Sequence, residues 1–133
     1  MFPSHLLDTH AWIWFFEGEP RAEPLRRLPA ETRLGISALT PYEAARLETE
    51  GKVRFHPDLE TRLRQCLAEK SCVLVPLLPE ISLLATRLPG AFPGDEIDRL
   101  LVATAIATDA MLVTADPLLL AYESDSRLRV FAL

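Results

Sequence analysis

PGDEIDRLLVATAIATDAMLVTADPLL, residues Pro93 to Leu119, places two acid-bearing helix starts around one short apolar strand. Gly94 followed by Asp95 reads as a loop ending in a helix N-cap, and Asp98 falls at the third helical position, where a carboxylate reaches back to the cap's amide. Leu100 to Ala107 continue as a largely apolar helix. Met111 to Thr114 is short and apolar enough for a parallel strand buried on both faces. Asp116-Pro117 then pairs a cap with a proline at the first helical position, where no amide is needed. In an open parallel sheet, the edge where such helices begin is the edge where ligands bind.

Working outward, the same alternation recurs. Ser4 to Asp8 reads as a first strand stopping at an acid, with a helix from Thr9 that Gly18 to Pro20 ends. Arg21 to Leu28 reads as a short helix and Arg33 to Ser37 as the second strand. Thr40-Pro41-Tyr42-Glu43 predicts a Thr-capped helix start with Glu43 at the third position. A further helix follows Pro57-Asp58 to about Glu69, with Leu59, Leu63 and Leu67 on one stripe. Cys72 to Pro76 is a third strand, Pro79 to Leu88 a helix, and Leu128 to Phe131 the last strand. Strands alternating with helices, without a hairpin signal, predict a parallel α/β sandwich.

Composition bounds what such a domain does. At 133 residues with 49% hydrophobic and 25% charged side chains, the chain reads as one globular domain that buries roughly two thirds of its unfolded surface. Cys66 and Cys72 match no common zinc or redox spacing, which fits a reducing compartment. The apolar run Leu6 to Phe16 is too short to span a bilayer and is broken by Asp8 and His10, so the expectation is a cytoplasmic protein without a signal peptide. A net charge of −5 argues against nucleic-acid binding by bulk attraction alone.

Asp8 closes a strand, Glu43 and Asp98 open helices, and Asp116 follows the fourth strand. Taken singly, helix capping accounts for Glu43, Asp98 and Asp116. Asp8, in an apolar strand-to-helix turn, fits that reading least, although it too can cap a helix. Converging carboxylates repel one another unless a cation sits among them. Oxygen-only ligands without His or Cys point to Mg²⁺ or Mn²⁺ rather than zinc, and such ions assist attack of water on a phosphodiester.

Four blocks carry a family likeness: LLDTHAWIW (Leu6 to Trp14), SALTPYEAARL (Ser37 to Leu47), PGDEIDRLLVATA (Pro93 to Ala105) and LVTADPLL (Leu112 to Leu119). In this order they resemble PIN-domain proteins, in the branch of VapC-type toxins, and with VPLLPE at Val75 to Glu80 the likeness covers nearly the whole chain. The resemblance implies a single PIN domain over residues 1–133: a three-layer sandwich around a five-stranded parallel sheet in the order 3-2-1-4-5. It implies a metal-dependent endoribonuclease using Mg²⁺ or Mn²⁺, usually a homodimer, inhibited by a small VapB-like antitoxin and leaving 5′-phosphate and 3′-hydroxyl ends. By matched position the catalytic and metal-binding acids are Asp8, Glu43, Asp98 and Asp116. Asp95 matches the first acid of the family's DxxDR pattern and ranks as a cap before a ligand. Thr114 matches a supporting hydroxyl, and Arg99 is a candidate for substrate phosphate or for a salt bridge. Departures are Tyr42 where many relatives have Trp, Glu96 where many have Pro, and Ala115 where many have a basic residue. They leave the ligands intact and weaken the expected grip on RNA.

Rival classes fit less well. A response-regulator-like phosphoacceptor wants a lysine at a late strand end, and Lys52 and Lys70 lie elsewhere. A haloacid-dehalogenase-like phosphatase wants a DxD motif, but Thr9-His10 follows Asp8. The remaining alternative is a non-catalytic PIN-like module that binds RNA or protein. His5, His10 and His56 are scattered without ligand spacing. Trp12, Trp14, Phe15 and Phe16 exceed one helix face, leaving surplus apolar area for a partner. Arg21, Arg26 and Arg27 read as a solvated face or as an RNA approach.

Overall fold

Leu6 and Leu7 are neighbours in the first strand and lie in different hydrophobic cores, because successive side chains of a strand leave on opposite faces. Three layers follow from that alternation. The structure, a computed structural model, describes residues 2–68, 72–123 and 127–133. Strands β1 (His5–Leu7), β2 (Leu34–Ser37), β3 (Cys72–Val75), β4 (Met111–Thr114) and β5 (Val130–Ala132) form one parallel sheet in the order 3-2-1-4-5. This is the sheet that the resemblance implied.

Register explains the two cores. Leu6 stands between Gly35 and Leu112, and Leu7 between Ile36 and Val113. Leu6 and Leu112 pack with Ile81 of α5 (Pro79–Ala85), Leu101 and Val102 of α6 (Glu96–Ala107) and Leu119 of α7 (Pro117–Tyr122). Leu7, Ile36 and Val113 pack with Trp12 of α1 (Thr9–Phe16), with Ala44 and Leu47 of α3 (Thr40–Thr49), and with Leu59 of α4 (Leu59–Ala68). Each fully buried leucine or isoleucine contributes roughly 1.5–3 kcal/mol. Gly35 has no room for a side chain: a Cβ there would lie 2.5 Å from Pro3 Cγ and 3.1 Å from the Val73 carbonyl.

Several local expectations shift. Thr40 is not the cap of α3. The chain is already helical at Leu39 (φ −83°, ψ −18°), so Thr40 falls inside the first turn and its buried hydroxyl has no partner among the described residues. Arg21 to Leu28 divides into a 3₁₀ turn, Pro20–Ala22, and one turn of helix, α2 (Glu23–Arg26), since Pro20 and Pro24 each lack an amide to continue the ladder. β5 starts two residues later than expected because Leu128 drops into the core before pairing begins at Val130. α5 ends at Ala85 rather than Leu88. Along α4, Leu59 is buried while Leu67 is exposed, and the expected end at Glu69 lies outside the described residues.

β1 and β4 are adjacent, and the helices that follow them pack on opposite faces. α1 turns into the core of Leu7, and α7 into the core of Leu6. Their divergence opens a crevice at the carboxyl edge of the sheet, the switch point where open α/β folds bind ligands.

Candidate active site

Each acid is placed by the helix start it serves. Asp8 has extended backbone and caps α1, its Oδ1 accepting from the Ala11 amide at 2.8 Å. Asp116 caps α7, accepting from the Leu118 amide at 2.9 Å. Asp95 and Asp98 form a reciprocal capping box at the start of α6: the Asp98 amide donates to Asp95 Oδ1 at 2.9 Å, and the Asp95 amide donates to Asp98 Oδ2 at 3.3 Å. Capping and convergence are therefore both true of these residues. Asp8, least expected as a cap, is one.

Glu43 reaches the crevice from α3. The Thr9 hydroxyl donates to its Oε1 in a short hydrogen bond, and Arg46 Nη2 lies 3.5 Å from Oε2. Because Thr40 does not form a capping box, the Glu43 side chain is free for these contacts. Thr114 is fully buried at the end of β4. Its oxygen accepts from the Asp116 amide at 3.1 Å, and its hydroxyl hydrogen-bonds toward the Asp8 carboxylate and favours the charged form. One side chain thus ties together the two acids that flank the β1/β4 edge.

Asp8, Glu43, Asp95, Asp98 and Asp116 line one cleft of about 490 Å³, with Thr9, His10, Trp14, Arg21, Leu101, Ala115 and Pro117 completing its walls. The charges feel one another. Burial raises the Asp98 carboxyl to about 6, opposed by the hydrogen bond with the Asp95 backbone and assisted by the negative charges of Asp95, Glu43 and Asp116. Burial also raises Asp8; Thr114, the Ala11 amide and His10 pull it down, and Glu43 pushes it further up. Burial is the larger cause of both shifts and the neighbouring carboxylates add to it, so a cation beside the two groups would favour their charged forms.

The five carboxylates offer oxygen donors that suit a hard divalent ion, with His10 the one imidazole on the cleft wall among the described residues. Among the described residues, no three His, Cys, Asp or Glu side chains stand close enough together to enclose an ion as they lie. Mg²⁺ keeps several waters and takes only one or two carboxylates directly, so a looser ring of oxygens fits it.

Arg99 departs from both readings of it. Its Nη1 donates to the Ala85 carbonyl at 3.1 Å and its guanidinium lies 5.0 Å from the Phe92 ring centroid, away from the cleft walls. Together with the Tyr122 hydroxyl, which donates to the Pro89 carbonyl at 2.6 Å, it fastens the loop that delivers Asp95. His10, Trp14 and Arg21 are cleft residues that the sequence reading did not single out as a group. His10 and Trp14 are four apart on a helix beginning at a site acid, which puts them on one face.

Residues 5–123 match the PIN domain family. The chain is 34% identical over 118 residues to ribonuclease VapC22 of Mycobacterium tuberculosis, covering 84% of this chain and 85% of that protein. In structure it is similar to VapBC2 from Rickettsia felis bound to a DNA fragment from their promoter, with TM-score 0.69, 18% identity and coverage of 96% and 97% of the two chains. A toxin–antitoxin complex from Klebsiella pneumoniae gives 0.63 at 23% identity, covering 85% and 87%, and VapBC-1 from nontypeable Haemophilus influenzae gives 0.62 at 22%, covering 96% of each. With a family match over most of its length and the same sheet order, the chain belongs to the PIN-domain family, in its VapC ribonuclease branch.

Proposed function

We propose that this chain is a divalent-metal-dependent endoribonuclease and the toxin half of a VapBC-type pair, acting as a single PIN domain and as a homodimer. The observation that carries the reading is the convergence of Asp8, Glu43, Asp98 and Asp116 on one crevice at the β1/β4 switch point. The kinship with ribonuclease VapC22 supports RNA as the substrate.

Mg²⁺ or Mn²⁺ bound in the cleft supplies a Lewis acid that activates water and neutralises charge on the phosphoryl group. Asp8 and Asp116 each keep one oxygen on a helix amide, which restrains carboxylates that would hold the ion. Asp98 holds a proton in the metal-free cleft below about pH 6 and in its charged form would be one of the groups to hold the ion. Glu43, steered by Thr9 and Arg46, ligates the ion or orients the attacking water. The Thr114 hydrogen bond favours the charged form of Asp8 against the burial that raises it, and its oxygen holds the Asp116 amide. The cognate VapB-like antitoxin would silence such a cleft by inserting an arginine or lysine among the carboxylates.

The test is cleavage of mixed cellular RNA by the purified chain in Mn²⁺, Mg²⁺ or EDTA, with Asp98→Asn prepared identically. Cleavage that requires metal and disappears in the variant is expected. Equal cleavage by both proteins, or none by folded wild-type chain, would sink the reading.

A further inference from the structure

Five carboxylates line the cleft, and one Arg or Lys side chain lines it with them, Arg21. The neighbouring arginines already have acceptors: Arg46 has Glu43 of the cleft itself, Arg99 the Ala85 carbonyl, and Arg26 and Arg27 have Glu23. Arg21 donates to no carboxylate or carbonyl among the described residues. Its guanidinium instead lies 4.6 Å from the ring centroid of Trp14, and Trp14 is braced in turn by His10, with ring centroids 6.0 Å apart. A cation held over an indole face keeps its N–H groups, which lie in the guanidinium plane, available to a further acceptor.

We propose that Arg21 is the phosphate grip of the cleft, binding a non-bridging oxygen of the RNA backbone beside the cleaved bond, and that Trp14 is the positioning residue that keeps Arg21 off the acids. The inference rests on the ribonuclease reading. A chain of net charge −5 whose site is itself acidic must offer a polyanion at least one fixed cation. Arg21 stands on the wall of the cleft that holds the acids. Without the indole beneath it, the guanidinium would fold toward the nearby carboxylates and be neutralised there. Trp14 thus holds one positive charge apart from five negative ones.

The experiment measures equilibrium binding of a labelled single-stranded RNA to Asp98→Asn protein in Mg²⁺ across a KCl series, together with kcat and KM of the same substitutions in the cleaving chain. Arg21→Ala should reduce the slope of log K against log salt by about 0.7, one phosphate contact on a single strand. It should weaken binding about tenfold at low salt and raise KM with little change in kcat. Arg21→Lys should retain the slope. Trp14→Leu should weaken binding like Arg21→Ala, and the two together no further than either alone. An unchanged slope and KM in Arg21→Ala, with cleavage intact, overturn the grip and leave the nuclease standing. Absence of RNA binding together with absence of cleavage by the wild-type chain overturns both.

Discussion

Asp8 and Asp116 each cap a helix with one carboxylate oxygen, and both residues line the cleft. The choice of substitution therefore decides what an experiment reads. Asp8→Asn keeps an acceptor for the Ala11 amide and removes the charge, so it should abolish metal-dependent cleavage while circular dichroism and melting stay close to wild type. Asp8→Ala should lose the cap as well, costing about 1 kcal/mol of stability, seen as a lower denaturation midpoint. A fully active Asp8→Asn chain would remove Asp8 from the mechanism. At this scale the acids were legible because Asp and Glu at helix starts are conspicuous in any sequence. Arg21 was legible only as one of three arginines on a solvated face or an RNA approach: what sets it apart is Trp14 lying beneath it, and Trp14 reads equally well as core. The surplus aromatic area on α1 shows the same limit. Arg21, Arg26 and Arg62 lie over Trp14, Phe15 and Phe16, a covering that spacing along the chain does not reveal.

Elements decide how firmly the acids are aimed. The start of α6 is the clearest case, since Gly94 sits directly against the side chain it introduces. A Cβ on Gly94 would lie 2.7 Å from Asp98 Cβ and 2.9 Å from the Phe92 ring. Gly94→Ala should therefore push Asp98 out of place, reducing cleavage and Mn²⁺ affinity at least about tenfold while Leu101 and Val102 still anchor the helix in the core. Titration calorimetry with Mn²⁺ beside an activity assay checks this; unchanged affinity would mean that the loop yields instead. Element existence and type were largely legible, because strand runs such as Met111 to Thr114 and cap-plus-proline starts such as Asp116-Pro117 are local signals. Ends were less so. Thr40 has every mark of a cap, yet the turn after β2, in which the Leu39 amide donates to Ser37 Oγ at 3.0 Å, enters the helix one residue early. β5 is shortened by the burial of Leu128, a tertiary contact.

For the molecule as a whole, the cleft opposes the fold that builds it. Asp98 sits near 6 when folded against an ordinary value of 3.8, so between those values the folded chain holds a proton that the unfolded chain has released. Lowering the pH through 6 therefore stabilises the metal-free protein, and raising it removes that stability. Without divalent ions, the melting temperature should be about 1–2 °C higher at pH 5.5 than at pH 7.5, the screened value for a partly exposed group. Saturating Mn²⁺ should reverse the order, because ligation requires the charged carboxylates. Asp98→Asn should flatten both trends in a thermal melt; a wild-type curve without the acid-side rise would place the strain elsewhere. Sheet order and the layers were legible through the family likeness and the strand count. The mutual repulsion was foreseen only as a consequence of convergence, and its concentration on Asp98 needed the burial that three dimensions supply.

That opposition bears on heredity as much as on chemistry. Asp98→Asn, which keeps an acceptor for the Asp95 amide and removes the buried charge, should relieve the metal-free fold as it ends the cut, so loss of cleavage by that route crosses no barrier of stability. A disused copy is thereby expected to pass through a well-folded, inactive protein before it loses its fold.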